Sequence, residues 1–429
     1  MIVYQIMVDR FSKVDQKQNV KSWDLPVEGG IHEFYGGNLK GITSRIDHIV
    51  SLDVDAIYLT PIFESSTYHR YDTLNYFKID PMVGTDEELR ELVDKFHSKG
   101  IKVFLDGVFN HANSKSEVAR QMGSGKFWRG FHDLAELRLE DSQTMKFIFS
   151  VIEHWMNFGI DGFRIDCAND IGMVHLDEIR NKIHEFGGEM IGEIMTYAKD
   201  WMDHLDGVMN YFFREGTLSL LKGELPIDDY VLAMNEMVEK YPLEKLLNSW
   251  TMISSHDTPR LSNVLDEERK VRLAIATQYI FAGHPMVYYG EEVGMNGGQD
   301  PFNRSPMAWN RENDRILFYK RMGKIRKDLE VLTNGKIKVW RAGNLVSILR
   351  YDEWEKFVIF LMNPTYSMIE TKVMLPYSYA FDGLEMEDLN GGKKMKIFSG
   401  SINIKLDPFD FALLTPKDDI ESYTFFKKR

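Results

Sequence analysis

Short apolar runs alternate with amphipathic stretches through the first three quarters of the chain. Nearly continuous apolar character is typical of strands that are buried on both faces. Eight runs are predicted strands: Val3–Val8, Ala56–Thr60, Lys102–Asp106, Gly162–Asp166, Met190–Glu193, Gly207–Asn210, Ser249–Ile253 and Met286–Tyr289. Helical patterns fall between them, for example Thr85–Lys99, Asp141–Phe158, Val174–Phe186 and Glu267–Phe281. This alternation predicts an α/β fold, a (β/α)8 TIM barrel rather than an open sheet.

One of these helices has a clear start in the sequence. Thr85 is a good N-cap residue, and Asp86, Glu87 and Glu88 follow it. Acidic side chains are favourable there because they lie at the positive end of the helix dipole. Gly100 then ends the helix before the next strand.

Two segments interrupt the alternation. A long excursion, 109–140, follows the third strand, and loops of such length are usually functional. After about Leu332 the pattern changes to short alternating runs separated by turn residues, which predict an antiparallel β domain. We therefore divide the chain into a first barrel part (1–108), the excursion (109–140), a second barrel part (141–332) and a C-terminal β-sandwich domain (333–429).

Composition excludes some classes of function. The 429 residues carry a net charge of −13, and no cluster of Lys and Arg forms a phosphate-binding stripe, which argues against nucleic acid. The single cysteine, Cys167, excludes an intrachain disulfide and is interpreted as a small buried residue. The first run, Met1–Val8, lacks a basic start and a cleavage site and is too short to span a membrane. We therefore expect a cytoplasmic protein.

Three acidic residues stand out because each comes at or after the end of a predicted strand. They are Asp166, Glu193 and Asp257. A carboxylate is costly to desolvate and contributes nothing to a core, so it needs another reason to be there. Catalytic groups in parallel barrels come from the C-terminal ends of several strands, and two carboxylates flanking a sugar–sugar bond perform glycoside hydrolysis.

The segments around these acids form an ordered set. Asp106-Gly-Val-Phe-Asn-His111, Gly162-Phe-Arg-Ile-Asp166, Gly192-Glu193-Ile and Ser255-His256-Asp257 resemble, in this order, the four signature segments of the α-amylase superfamily, glycoside hydrolase family 13. Further segments, including Phe34-Tyr-Gly-Gly-Asn and Met286-Val-Tyr-Tyr-Gly-Glu-Glu, are similar too, so the resemblance covers about 300 residues.

The resemblance implies a role for each acid. Asp166 is the expected nucleophile, Glu193 the expected general acid/base, and Asp257 the carboxylate that stabilises the transition state. Arg164, two residues before Asp166, points to the same side of its strand and would hold that carboxylate ionised and oriented. The neighbouring negative charges should raise the pKa of Glu193. The alternative for the three acids is a structural ion-pair network, which would not demand this motif order.

The resemblance also implies substrate-binding residues. His111 and His256 match histidines that hydrogen-bond the sugar in the cleaved position, Tyr71 matches a tyrosine that stacks under it, and Asp72 is its polar neighbour. For each, a purely structural role is the alternative. Asp106 matches an acid that is chiefly architectural.

Several stretches, such as Ala168-Asn169-Asp170 and Gly297-Gly-Gln-Asp-Pro, are similar to the cyclomaltodextrinase, neopullulanase and maltogenic amylase group. By that likeness Asp300 and Arg304 bound the non-reducing side of the cleft, with a solvated salt bridge as the alternative. The group normally carries an N-terminal β domain that helps to build its dimer. This chain begins at the first barrel strand, so we expect a monomer or a weak homo-oligomer.

The chain also differs from the proteins that it resembles at positions expected to bind the acceptor sugar and calcium. The general acid in that group is usually followed by Ile-Trp, whereas Met195 or Tyr197 must provide acceptor contacts here, or the acceptor site is weaker. Asn110 occupies a position that often binds calcium in α-amylases, but the loop 12–19 places lysines where oxygen ligands are expected. We expect that no cofactor is required, with calcium as a possibility through Asn110.

These inferences predict a retaining hydrolase that cleaves α-1,4 bonds of maltooligosaccharides, dextrins or cyclodextrins. A 4-α-glucanotransferase using the same covalent intermediate is the alternative. A non-catalytic glycan-binding barrel is a third hypothesis, but such relatives generally lose one or more of the three acids, and this chain keeps all three. We expect neither a nucleic acid nor a membrane partner.

Overall fold

The computed structural model describes residues 1–14, 19–311, 313–352, 356–377 and 382–417. Eight parallel strands close into a barrel, and every strand pairs with its neighbours in the sequence. They are β1 (Val3–Ile6), β2 (Ala56–Leu59), β3 (Lys102–Gly107), β4 (Gly162–Ile165), β5 (Glu189–Ile194), β6 (Gly207–Asn210), β7 (Trp250–Met252) and β8 (His284–Tyr288). The predicted TIM barrel is confirmed.

Closure takes place between the first and last strands. Val3 of β1 is in register with Ala56 of β2 on one side and with Met286 of β8 on the other. The α-helices are Val8–Phe11, Leu39–Thr43, Ile46–Val50, Asp86–His97, Glu117–Met122, Ser142–Met156, Ala168–Ile171, Met173–His184, Tyr211–Lys222, Ile227–Lys240, Leu243–Asn248, Leu261–Val264, Glu268–Ile280, Arg315–Asp328 and Val331–Asn334. The 3₁₀ helices are Trp128–Gly130 and Lys199–His204.

Close backbone approach fixes one strand position. A side chain on Gly162, the first residue of β4, would place its Cβ 2.1 Å from the carbonyl oxygen of Glu189 in β5. Any other residue would therefore push apart the two strands that carry Arg164 and Glu193.

The barrel interior is filled by large side chains. Trp250 of β7 packs against Tyr58 of β2 and Phe104 of β3, with both ring centroids 5.4 Å away. This apolar plug supports the polar layer above it, because the Arg164 guanidinium lies 5.8 Å from the Tyr58 ring. The larger core lies between the strands and the outer helices.

Two small antiparallel sheets lie in the loops that follow β2 and β3. The excursion after β3 contains a three-stranded sheet of His111–Asn113, Leu134–Leu137 and Gly123–Phe127. A small sheet of Phe63–Ser65 and Thr73–Ile79 follows β2.

Beyond the barrel, a six-stranded sheet has the order Lys336–Ala342, Leu345–Tyr351, Phe357–Met362, Phe411–Pro416, Glu385–Asp388 and Lys394–Lys396. A two-stranded sheet of Ile369–Met374 and Ser401–Leu406 shares one apolar core with it. The last part of the predicted C-terminal domain, 418–429, lies outside the described residues. In the described part of the chain, no helix combines the length and apolar character needed to cross a membrane.

The helix predicted to start at Thr85 has a complete capping box. The Thr85 hydroxyl accepts a hydrogen bond from the Glu88 amide at 3.3 Å, and the Glu88 carboxylate accepts one from the Thr85 amide at 3.2 Å. We expect Thr85→Ala to lower the free energy of unfolding by about 1 kcal/mol, because one amide donor loses its partner. Thr85→Ser keeps the hydroxyl and should match the parent. Denaturant midpoints compare the three proteins, and equal midpoints for Ala and Ser would contradict the capping role.

Candidate active site

The acidic residues singled out from the sequence meet at the C-terminal mouth of the barrel. Asp106 lies in β3, Asp166 directly follows β4, and Glu193 lies near the end of β5. Asp257 lies in the loop after β7. Asp106, Asp166 and Glu193 are buried and Asp257 is partly exposed, so the barrel brings the predicted catalytic acids together in one cleft.

Arg164 of β4 connects three of these carboxylates. Its Nη1 atom donates to Asp166 Oδ1 at 2.8 Å and to Asp106 Oδ1 at 2.9 Å. Its Nη2 atom lies 2.7 Å from Glu193 Oε1, without the geometry of a hydrogen bond. The guanidinium is fully buried, so removing it would leave buried carboxylates without a counter-charge.

One guanidinium among these carboxylates leaves an excess of negative charge, and Glu193 shows the effect. Burial, together with the charges of Asp166 and Asp257, raises its pKa to about 8 against the opposing effect of Arg164. Its Oε2 atom accepts a hydrogen bond from the Cys167 amide at 2.9 Å. The Tyr211 hydroxyl donates to Oε1 at 3.4 Å. Glu193 is therefore a carboxylic acid that stays protonated at neutral pH and can donate a proton.

Asp257 has the opposite electrostatic environment. Burial raises its pKa, but His256 and Arg304 outweigh burial and hold it well below its usual range. His256 Nε2 lies 3.0 Å from Asp257 Oδ2, and Arg304 Nη2 lies 3.0 Å from Oδ1. This carboxylate is therefore ionised at neutral pH.

The predicted loop residues Asp300 and Arg304 form an ion pair of 2.9 Å. Asp300 is exposed, whereas Arg304 is buried and also donates from Nε to the His256 carbonyl at 2.8 Å. Arg304 therefore contributes to the site through Asp257 and His256, while contact of Asp300 with a sugar stays a prediction.

Tyr71 and His256 form a rigid pair. Their rings stack with centroids 5.5 Å apart and an interplanar angle of 7°. The Tyr71 hydroxyl donates to Asp106 Oδ2 at 2.8 Å and lies 2.5 Å from His256 Nε2. On the other side of the imidazole, the Gln5 amide nitrogen lies 2.6 Å from Nδ1. The His256 imidazole is thus held at both ring nitrogens and on one ring face.

Asp72 is buried and its oxygens already have partners. They accept hydrogen bonds from the Ser66 amide at 3.1 Å, from the Asn113 amide nitrogen at 3.0 Å and from the Thr67 hydroxyl. Burial raises the pKa of Asp72, but the hydroxyl hydrogen bonds outweigh it and the net shift is downward. The structure thus gives Asp72 the role of holding the loop before Tyr71, and a direct sugar contact stays a prediction.

His111 lies where the excursion meets the barrel. Its ring stacks on Trp128 with centroids 4.7 Å apart, and burial lowers its pKa, so it is neutral. Trp128 Nε1 in turn donates to Asp170 Oδ2 at 2.9 Å, and Arg129 pairs with the same oxygen at 3.2 Å. The excursion therefore contacts the barrel beside His111 and Asp170, close to the predicted nucleophile Asp166.

The two candidates for acceptor contacts differ in their surroundings. The Met195 side chain is 49% exposed and follows Glu193 by two residues, so it is free to contact a sugar. Tyr197 packs against Phe212 and Tyr241 with ring centroids 4.9 and 5.3 Å away. Met195 is the more exposed of the two, while Tyr197 is partly exposed.

Calcium binding through Asn110 stays a prediction. It is buried, and its Nδ2 atom lies 3.3 Å from His111 Nδ1. Calcium requires six or more oxygen ligands. Within the described ranges, the one compact group of three ionisable donor side chains contains His111, Asp166 and Cys167, which is not an all-oxygen set. Residues 15–18 of the loop 12–19 lie outside the described residues. We derive no step through calcium.

Sequence reasoning missed several residues of the site: Gln5, Tyr58, Trp128, Cys167 and Tyr211. The sequence does place Cys167 directly after the expected nucleophile, and this position could have indicated its contact. In the structure, its thiol lies 3.1 Å from Asp166 Oδ2. Tyr58 donates to Asp106 Oδ2 at 2.5 Å. Its segment, Tyr58-Leu-Thr-Pro-Ile-Phe, resembles the family, but no role was assigned to the tyrosine. Gln5 contacts His256 across 251 residues of the chain, a separation that no local pattern reveals.

The chain is similar in sequence to known proteins. A family profile for the alpha amylase catalytic domain matches residues 5–127 and 125–328. Neopullulanase 2 of Thermoactinomyces vulgaris is 31% identical over 96% of this chain and 77% of its own. Cyclomaltodextrinase of Thermoanaerobacter pseudethanolicus is 32% identical over 84% and 70%. Intracellular maltogenic amylase of Bacillus subtilis is 30% identical over 84% and 68%.

Solved structures agree with these matches. Ttha1563 from Thermus thermophilus superposes with a TM-score of 0.89 at 28% identity, covering 97% of this chain and 98% of its own. The cyclic α-maltosyl-(1→6)-maltose hydrolase of Arthrobacter globiformis superposes with a TM-score of 0.86 at 25% identity, with the same coverage.

We expect Asp166→Asn to lower kcat by ~10³-fold or more, because the amide cannot act as the nucleophile. Initial rates on maltotriose measure the effect, and circular dichroism checks the fold. Asp229→Asn is a matched control, since Asp229 is exposed on the helix Ile227–Lys240. A rate within tenfold of the parent would contradict the assignment of Asp166.

The raised pKa of Glu193 predicts the alkaline limit of activity. The general acid must be protonated, so kcat/KM should fall as the pH rises through about 8, where Glu193 loses its proton. A pH profile of kcat/KM on maltotriose tests this. A rate that stays constant to pH 10 would exclude Glu193 as the acid.

Proposed function

The chain belongs to the α-amylase catalytic-domain family, and we propose that it is a retaining hydrolase of α-1,4-linked maltooligosaccharides, dextrins or cyclodextrins. The observation that carries the proposal is the contrast between Glu193, whose pKa is raised to about 8, and the ionised Asp257 in the same cleft. A retaining mechanism needs such a separation, since one carboxyl group must donate a proton while others stay charged.

The first step uses Asp166 and Glu193 together. Asp166, oriented by Arg164 at 2.8 Å, attacks the anomeric carbon, and Glu193 gives its proton to the departing glycosidic oxygen. Asp257 supplies a fixed negative charge that stabilises the oxocarbenium-like transition state. Tyr71 and His256 form the wall against which the sugar ring is positioned.

The second step depends on a change in the pKa of Glu193. The charge of Asp166 is one cause of its raised value, and that charge disappears when Asp166 becomes an ester of the sugar. The pKa of Glu193 then falls, so the carboxylate left by the first step can act as a base. It activates a water molecule that releases the sugar with net retention.

Transfer to a second sugar uses the same intermediate. Met195 offers an apolar contact to an acceptor but lacks the aromatic face that stacks on sugar rings. This favours water over a sugar acceptor. A cytoplasmic location belongs to the same proposal, supported by the relative from Bacillus subtilis that is named an intracellular enzyme.

A timed product profile tests the function. Maltotriose, maltoheptaose, β-cyclodextrin and pullulan are each incubated with the enzyme, with Asp166→Asn as the blank. Short products from the linear substrates and the cyclodextrin are expected. Products longer than maltotriose from that substrate would favour a glucanotransferase, and no products at all would overturn the enzymatic assignment.

A further inference from the structure

The residue that follows the nucleophile has a strained backbone. Cys167 has φ 47° and ψ 42°, a left-handed region that residues with a Cβ rarely occupy. In this conformation its amide donates to Glu193 Oε2 at 2.9 Å, and its thiol lies 3.1 Å from Asp166 Oδ2. Cys167 therefore contacts the nucleophile through its side chain and the general acid through its backbone. Strain of this kind persists where the surrounding structure imposes it, often at functional sites.

The sulfur of Cys167 carries a proton and can act as a hydrogen-bond donor. Burial, together with the charges of Asp166 and Glu193, raises the pKa of the thiol well above its usual range. The contact with Asp166 Oδ2 is therefore a hydrogen bond from a neutral thiol to the carboxylate. A thiol is a weaker donor than a hydroxyl or a guanidinium, so this bond costs little to lose.

The two oxygens of Asp166 thus have donors of different strength. Oδ1 accepts from Arg164 Nη1 at 2.8 Å, a charge-assisted bond from a buried cation, whereas Oδ2 accepts from the thiol. The oxygen that attacks becomes the bridging oxygen of an ester and accepts hydrogen bonds only weakly. Attack through Oδ1 would sacrifice the strong bond, and attack through Oδ2 sacrifices the weak one. Transition-state stabilisation therefore favours Oδ2.

We propose that Cys167 is a positioning residue whose thiol holds Oδ2 of Asp166, the attacking oxygen, through a weak hydrogen bond that is given up during the reaction. Oδ2 forms a bond to the anomeric carbon, and the bond from that carbon to the glycosidic oxygen breaks. The electron pair passes to the departing oxygen, which takes its proton from Glu193. Oδ1 stays bound to Arg164 and becomes the ester carbonyl oxygen. This role rests on the proposed function, whereas the hydrogen bond itself does not.

A comparison of Cys167→Ala with Cys167→Ser tests the role. Serine and alanine have nearly equal volumes and leave similar cavities, so the two variants differ chiefly in the donor. We expect Cys167→Ala to lower kcat/KM severalfold, because Oδ2 loses its positioning contact. Cys167→Ser should be slower than Cys167→Ala by about tenfold, because a hydroxyl binds the carboxylate more strongly and that bond must be broken.

The rates are measured on α-maltotriosyl fluoride and on maltotriose. Fluoride leaves without a proton from Glu193, so kcat/KM on the fluoride reports the attack by Asp166 alone. The difference between the two variants should therefore appear on both substrates. Thermal unfolding followed by circular dichroism compares their folds. Equal rates for the two variants, or a serine variant faster than the alanine variant, would overturn the proposal, since a merely structural role predicts one of these results.

Infrared spectroscopy tests the hydrogen bond without any assay of activity. The S–H stretching band lies where other protein groups do not absorb, and Cys167 is the only cysteine in the 429 residues. The band should shift to higher wavenumber in Asp166→Asn and further in Asp166→Ala, because the thiol loses its charged acceptor. Asp229→Ala is the matched control, since Asp229 is exposed, and should leave the band unchanged. A band that both Asp166 variants leave unmoved would overturn the proposal.

The two measurements separate this inference from the proposed function. A parent protein that cleaves maltotriose and the fluoride, combined with equal rates for the two Cys167 variants, would overturn the positioning role and leave the function intact. A parent protein that cleaves neither substrate would reject the function and the positioning role together, even if the infrared shift confirmed the contact.

Discussion

The buried guanidinium of Arg164 is the interaction on which the active site depends. It is fixed from below by the apolar plug of Tyr58 and Trp250 and binds Asp106 and Asp166 from the side. Burying a cation and several carboxylates together costs desolvation free energy, which affects the protonation state of the acids. Burial and the charges of Asp166 and Asp257 raise the pKa of Glu193 against the opposing effect of Arg164, so Glu193 keeps its proton at neutral pH.

A second buried cation, Arg304, contacts Asp257 on the side of the site formed by the loops after β7 and β8. Arg304 donates a hydrogen bond to the His256 carbonyl and forms an ion pair with Asp257. This ion pair helps to keep the Asp257 carboxylate ionised while Glu193 is protonated. The two arginines come from different parts of the chain, a barrel strand and the loop after β8. The separation of pKa values between Glu193 and Asp257 is therefore a property of the closed barrel rather than of either local segment.

Much of the fold could be predicted because the signals are local. Each barrel strand is a short apolar run, and Thr85 with Glu88 gives a capping box within four residues. The acids could be identified because a charged residue at a strand end conflicts with the apolar pattern. Trp128 could not be found this way, because no charge or strand end marks it in the sequence and its contacts with His111 and Asp170 arise only in the folded chain. The conformation of Cys167 was also hidden, because a left-handed backbone at a cysteine has no sequence signature.

The contact between Gln5 and His256 has a consequence for how activity arises. Gln5 lies in the first barrel strand, and His256 follows the seventh, 251 residues later. The two side chains meet beside the seam where β1 pairs with β8. The histidine beside Asp257 is thus seated by the strand that closes the ring. A chain in which β1 has not yet paired with β8 would contain every acid but would lack the contact between Gln5 and His256. Catalytic activity therefore requires the closed barrel and not only the presence of the catalytic groups.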